Sequence, residues 1–137
     1  MAKIKADLHM HGPIGFQKRW LELQGYNKPG TNLLKLIADT CFERGIDLCA
    51  ITSEEFEIPK GSVHDRFDYL VKEARYLPKE YEHDKKADIL LSVEKQGRLV
   101  YIINGQTVIA YDGKRRVDHL VVGSNQVPNK RHLGETI

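Results

Sequence analysis

The first residues of the chain that suggest chemistry lie near its amino terminus, in the pattern Asp7-Leu8-His9-Met10-His11. In an extended strand side chains alternate between two faces, so Asp7, His9 and His11 are expected to share one face. Two imidazoles at this spacing can bind one divalent metal ion, and Asp7 is placed to fix a histidine tautomer. The pattern predicts a metal site, and a pair of surface histidines is the alternative.

The residues around this motif predict a strand, a helix and a second strand in succession. Apolar and polar residues alternate through residues 2–10, which is typical of a strand. The helix that follows can be capped by Thr31 or Asn32 and ended by Gly45. The apolar run at residues 46–52 predicts a strand covered on both faces. This order predicts a βαβ unit with parallel strands.

The second half of the chain predicts one more helix and further core strands. The helix begins near Ser62 and ends before Pro78, which cannot continue a helix. Residues 79–86 are polar and are expected to form a solvated connection. Core strands are predicted at residues 87–93 and 119–123.

An antiparallel ribbon is predicted near residues 98–117, inserted between these last two strands. Asn104-Gly105 and Asp112-Gly113 are dipeptides that tolerate the positive φ of tight hairpin turns. The fold class expected is therefore α/β, with residues 1–137 forming a single domain.

Candidate ligands follow the predicted core strands, because ligands gather at the carboxyl ends of parallel strands. Glu54 follows the second strand, Glu94 the third and Asn125 the last. A carboxylate beside two imidazoles is a common divalent-metal site, so Glu94 is the candidate third ligand. A solvent-facing glutamate is the alternative. His119 opens the last strand and is either a rim residue or a half-buried core histidine.

Two of these segments resemble a known family. Residues 7–12 and 45–52 are similar to the first two motifs of the PHP (polymerase and histidinol phosphatase) domain, and Glu94 falls where that family has a glutamate ligand. The resemblance covers roughly residues 3–125. It implies a distorted seven-stranded β/α barrel, of which this chain would be the amino-terminal portion.

The resemblance also implies an activity. PHP domains are metal-dependent phosphoesterases, so His9, His11 and Glu94 would hold one ion of Mn, Zn or Fe that activates water against a small phosphorylated substrate. Where the family typically has Thr-Asp-His, this chain has Thr52-Ser53-Glu54, and Asn125 stands where the family often has a histidine. The family's late ligands would lie beyond Ile137.

These departures favour a second hypothesis, in which a catalytically inactive PHP-like scaffold or binding module retains at most one metal site. An amidohydrolase-type barrel also begins with His-x-His, but no lysine of this chain stands convincingly at its bridging position. A phosphate could be held by Arg19, Lys130 and Arg131, for which a solvated charge cluster is the alternative.

Composition limits the remaining classes. The chain has 137 residues, 41% hydrophobic and 29% charged, with a net charge of +2, which is typical of one globular domain and does not indicate nucleic-acid binding. It has no apolar run long enough for a membrane span. Cys41 and Cys49 are expected to be reduced thiols, with a disulfide as the alternative, and a cytoplasmic location follows. The oligomeric state is left open.

Overall fold

The computed structural model describes residues 3–10, 32–52, 63–123 and 131–132. The elements are β1 (Ala6–Met10), α1 (Leu33–Arg44), β2 (Leu48–Ile51), α2 (Val63–Ala74), β3 (Tyr81–Ala87), β4 (Leu90–Lys95), β5 (Arg98–Asp112), β6 (Arg115–Val122) and β7 (Arg131–His132). Neither α1 nor α2, the helices within these ranges, combines the length and apolar character that a membrane span requires.

The predicted βαβ unit is confirmed. Of the two candidate caps, Asn32 begins α1, because its side-chain oxygen accepts a hydrogen bond from the Lys35 amide at 2.9 Å. Gly45 ends the helix at φ 67°, a left-handed conformation that favours glycine. The chain then enters β2, which pairs with β1 in parallel.

The strands form a mixed sheet with the order β1-β2-β5-β4-β3. β1, β2 and the first half of β5 are parallel, whereas β4 and β3 continue the sheet in antiparallel pairing. The second half of β5 extends beyond its pairing with β2. It pairs antiparallel with β6 and, over two residues, parallel with β7. The architecture is therefore α/β, and across the described strands the sheet is open rather than closed into a barrel.

The predictions for the second half of the chain were right only in part. Residues 79–86 are largely strand β3 rather than a connection. The core strand predicted at residues 87–93 is present as β4, but it is shifted to Leu90–Lys95 and runs antiparallel to β5. The segment 98–117 is not an insertion, because β5 is itself a central strand. The predicted strand 119–123 is the end of β6.

Asn104-Gly105 does not form the predicted turn. The Asn104 amide donates to the Ile89 carbonyl at 2.8 Å, and the Asn104 carbonyl accepts from the Gly123 amide at 2.7 Å. Both backbone groups are therefore satisfied by the residue just before β4 and the residue just after β6, so β5 continues through this dipeptide. The second predicted turn is confirmed, since Gly113 connects β5 to β6 at φ 62°.

Both helices pack on one face of the sheet and cover the main core. Asn32 and the amide of Leu34 bind the carbonyl and carboxylate of Glu73 at 2.9 and 2.8 Å, which joins the start of α1 to the end of α2. The buried apolar side chains of this core are Leu34, Ala38, Cys41, Phe42, Ile46, Cys49, Ile51, Phe67, Leu70, Ala74, Tyr81, Leu91, Val93, Val100 and Ile102. On the other face, Leu99 and Tyr101 of β5 are partly exposed.

Candidate functional site at the carboxyl edge of the parallel strands

The first candidate residues lie on β1, at the edge of the sheet. Asp7 pairs with Cys49 and Met10 with Ile51, so the register shifts between them and the predicted strict alternation is interrupted. Met10 packs against the core instead of pointing away from it with Leu8. His9 is exposed at this irregular point. The bulge changes the direction of the side chains between Asp7 and Met10, where the predicted ligands begin.

Asp7 is hydrogen-bonded to His9, but through the main chain. Its Oδ1 atom accepts from the backbone amide of His9 at 3.0 Å. The sequence predicted that the Asp7 carboxylate fixes the tautomer of a histidine ring. This bond does not have that role, because its donor is the backbone amide of His9 and not the imidazole. The carboxylate instead stabilises the local turn of the strand, as aspartate side chains often do two residues before an amide.

The end of β2 connects β1 to β5. The Thr52 amide donates to the Met10 carbonyl at 2.7 Å, and the Thr52 carbonyl accepts from the Thr107 hydroxyl at 2.6 Å. Thr52 is fully buried, and among the described residues its hydroxyl has no hydrogen-bond partner. The carboxyl ends of β1 and β2 therefore meet the middle of β5 through polar groups.

The middle of β5 buries two amide side chains at this same edge. Asn104 and Gln106 are both fully buried. Following Ile102 at alternate positions, they are expected on the face of the sheet that carries the helices. Within the described part of the chain, neither the oxygen nor the nitrogen of the Gln106 amide has a partner. Buried polar groups without partners are rare and mark strain, trapped water or a ligand.

These buried amides are not predicted from the sequence, because Asn104-Gly105 has the composition of a hairpin turn. The signal available was the polar segment Asn104-Gly105-Gln106-Thr107 in the middle of a long apolar run. A run of this composition that is not a turn must bury its polar side chains in the sheet.

His119 shares a face with Gln106. In the register of β5 and β6, Gln106 lies opposite Val121 and Val108 opposite His119, so Gln106 and His119 are diagonal neighbours. The Nε2 atom of His119 is buried and has no partner among the described residues. The structure therefore places the predicted rim histidine beside the amide of Gln106.

Gly105 occupies a position with no room for a side chain. A Cβ atom there would lie 2.5 Å from the Val121 carbonyl oxygen and 2.9 Å from the Thr52 methyl group. This close approach brings β2, β5 and β6 together at the carboxyl edge.

Glu94 lies on the side of the sheet where β5 begins, opposite to the carboxyl edge of the parallel strands. It pairs with Leu99 at the start of β5, whereas Ile51 at the end of β2 pairs with Asn104. Four residues along the strands and three strand spacings separate it from His9, which amounts to about 20 Å. Ligands of one metal lie about 2 Å from it. The structure does not bring Glu94 together with His9, because β4 runs antiparallel to β5.

The other candidates are less fully placed. His11, Glu54, Asn125, Arg19 and Lys130 lie outside the described residues. The backbone of Arg131 pairs with Ala110 as part of β7, and its side chain is outside the description. Within the described ranges, no three His, Cys, Asp or Glu side chains converge as a metal site would require.

A charged network lies at the opposite edge, between α1 and the β3–β4 hairpin. Asp39 accepts hydrogen bonds from Lys35 at 2.8 Å and from the Tyr81 hydroxyl at 2.5 Å, and Lys95 donates to that hydroxyl at 3.1 Å. Partial burial alone would raise the pKa of Asp39, but the bonds from Lys35 and Tyr81 lower it on balance. The bond to Asp39 raises the pKa of Lys35.

Comparison with protein-family models, with curated proteins and with solved structures finds no match to this chain.

Proposed function

We propose that the chain is a metal-dependent phosphoesterase of PHP type, with its site at the carboxyl edge of β1, β2 and β5. The observation that carries the proposal is the parallel order of these three strands, which brings the end of β1, with His9, to the same edge as Thr52 and Gln106. Catalytic sites of parallel α/β folds lie at such an edge. The proposal includes the distorted β/α barrel that the family resemblance implies.

Metal binding in this proposal rests on few donors. The end of β1 offers the imidazole of His9, and the further ligands would be His11 and Glu54, which follow the ends of β1 and β2 in the sequence. A bound Mn, Zn or Fe ion would supply an activated water and neutralise charge on the phosphoryl group. Thr52 and Gln106 are uncharged and would orient a ligand by hydrogen bonds.

A second candidate function is a binding module without catalysis. It is favoured by a specific observation: the third parallel strand is β5, and its residues at the edge are Asn104 and Gln106 rather than a glutamate. Neutral amides are poor ligands for transition metals but good partners for a polar ligand. This module would bind phosphate esters or related polar molecules without hydrolysing them.

Metal content and hydrolysis separate the two candidates. The purified chain would be loaded with Mn²⁺, Zn²⁺ or Fe²⁺ and desalted, its metal measured by mass spectrometry, and hydrolysis of a generic phosphomonoester followed before and after chelation. The phosphoesterase predicts about one bound ion and hydrolysis that chelation abolishes and metal restores. The binding module predicts no turnover under any of these conditions.

A pair of variants locates the site. His9→Gln is expected to remove most of the bound metal and the activity, because it deletes an imidazole donor at the proposed edge. Glu94→Gln is the matched control, since both residues are exposed on strands but Glu94 lies at the opposite edge. Equal loss of metal in both variants, or in neither, would contradict the proposed position of the site.

A further inference from the structure

The amino edge of the parallel strands contains a pocket of about 530 Å³, at the end of the sheet away from His9 and from the site proposed above. Its wall is mainly apolar and is formed by the end of α1, the α1–β2 connection and the starts of β2 and β5, with Phe42, Ile46 and Leu48 among its residues. Small-molecule sites are usually concave, mostly apolar and about 300–1,000 Å³ in volume. The size and lining of this pocket therefore suit a small organic molecule.

Exposed apolar side chains are grouped at this pocket. Ile4, Leu99 and Tyr101 all line it, and their exposed fractions are 76%, 39% and 36%. A contiguous group of large apolar side chains that stays in contact with water marks a place where a ligand or a partner binds. A molecule with an apolar body would cover these side chains, and the removal of apolar surface from water favours its binding.

The charged residues of the pocket favour an anionic group on such a molecule. Lys3 and Arg98 line the pocket, and neither forms a salt bridge or a side-chain hydrogen bond with another residue that the structure describes. Asp47 also lines it, but its Oδ2 atom already accepts a hydrogen bond from the Lys5 amide at 2.9 Å. The charge that is left for a ligand to bind is therefore positive.

Arg98 lies where this pocket meets a smaller one of about 320 Å³, because Arg98 and Phe42 line both. In the smaller pocket, the carboxylate of Asp39 already binds Lys35 and the Tyr81 hydroxyl. A guanidinium group has its N–H donors in a planar fork that matches a carboxylate. A molecule whose apolar body fills the larger pocket can therefore place a carboxylate at its polar boundary, on Arg98.

We propose that the pocket binds a small organic acid, with its apolar body against Leu99 and Tyr101 and its carboxylate on Arg98 and Lys3. Two different interactions contribute to the affinity, namely the apolar contact and the charge-assisted hydrogen bonds. A molecule that lacks either the apolar body or the negative charge loses one of them. The site is separate from the proposed metal site and does not depend on it.

The test uses the full chain, isotope-labelled for NMR and titrated with hydrocinnamate. The amide signals of Ile4, Gly97 and Leu99 are expected to shift along a saturating curve, while that of Gln106 at the carboxyl edge stays in place. Hydrocinnamamide is the neutral analogue, and acetate lacks the apolar body. Each is expected to bind at least about tenfold more weakly. Equal affinity for the acid and its amide, or shifts that do not saturate, would overturn the proposal.

Matched variants test the residues assigned to the two parts of the ligand. Arg98→Gln is expected to weaken hydrocinnamate binding by about tenfold, whereas Glu43→Gln, which removes a negative charge from the adjoining pocket, should not weaken it. Leu99→Trp, which fills the pocket, should reduce binding, while Leu120→Trp at a similarly exposed site on β6 should not. All four residues are exposed, so the variants are expected to fold, which thermal unfolding checks. Equal affinity of Arg98→Gln and Glu43→Gln, or of the two tryptophan variants, would refute the proposal.

Discussion

Replacing Gln106 by methionine tests whether the buried amide at the carboxyl edge lowers the stability of the fold. Such a loss of stability is expected if the amide is kept there to bind a ligand. The Gln106 side chain is fully buried, and in the described part of the chain neither end of its amide has a partner. A buried unsatisfied group costs about 1–3 kcal/mol of the free energy of unfolding. Methionine has a similar length and no such group, so Gln106→Met is expected to raise that free energy by about 1–3 kcal/mol.

The assay is denaturant and thermal unfolding of the variant beside the unsubstituted chain. For a domain of this size, each kcal/mol corresponds to a shift of about 3–5 °C in Tm. Thr107→Val is the matched control, because the neighbouring hydroxyl donates to the Thr52 carbonyl at 2.6 Å. Its loss is expected to lower the free energy of unfolding by about 1 kcal/mol. If both substitutions destabilise the protein equally, the Gln106 amide has partners within the fold and the reasoning fails.

Two further substitutions test the packing at this edge and the charged network at the other. Gly105→Ala is expected to destabilise the protein by about 1–3 kcal/mol or more, because the new methyl group would lie 2.5 Å from a backbone oxygen. An unchanged Tm would show that the strands can move apart here without a loss of stability. Asp39→Asn is expected to cost about 1 kcal/mol at neutral pH, because water partly screens this carboxylate. Since folding lowers the pKa of Asp39, its contribution is present above about pH 4 and disappears as the pH falls through the folded value. In urea unfolding, the free energies of the unsubstituted chain and of Asp39→Asn should therefore become equal in acid. A difference that persists there would contradict the stabilising role of the Asp39 carboxylate.

The first half of the fold could be predicted from the sequence because its signals are local. Asn32 and Gly45 have the residue types that begin and end a helix, and the apolar run of β2 predicts a covered strand. The βαβ unit then follows from the order of these elements. The interruption in β1 could not be predicted, since the bulge between Asp7 and Met10 depends on the register with β2.

The second half could not be predicted because its signals compete. Asn104-Gly105 has the composition of a turn, but residues next to β4 and β6 satisfy the Asn104 backbone groups and the dipeptide stays extended within β5. The direction of β4 likewise cannot be predicted from the hydrophobic pattern, because a strand has the same periodicity in either direction. That single reversal moves Glu94 from the proposed site to the opposite edge. A donor set inferred from strand ends depends on knowing which way each strand runs.

The arrangement of β5 has a consequence for the order of folding. Its pairings with β4 and β6 join residues that are close in sequence, and β3 to β6 follow one another as an antiparallel meander. Its pairing with β2 joins residues 53 positions apart, as Leu48 and Tyr101 are. Local pairings close small loops and form quickly, whereas distant ones require a larger loss of chain entropy first. We therefore expect the meander to form early and the βαβ unit to dock onto β5 afterwards, so that the proposed site is completed in the last step of folding.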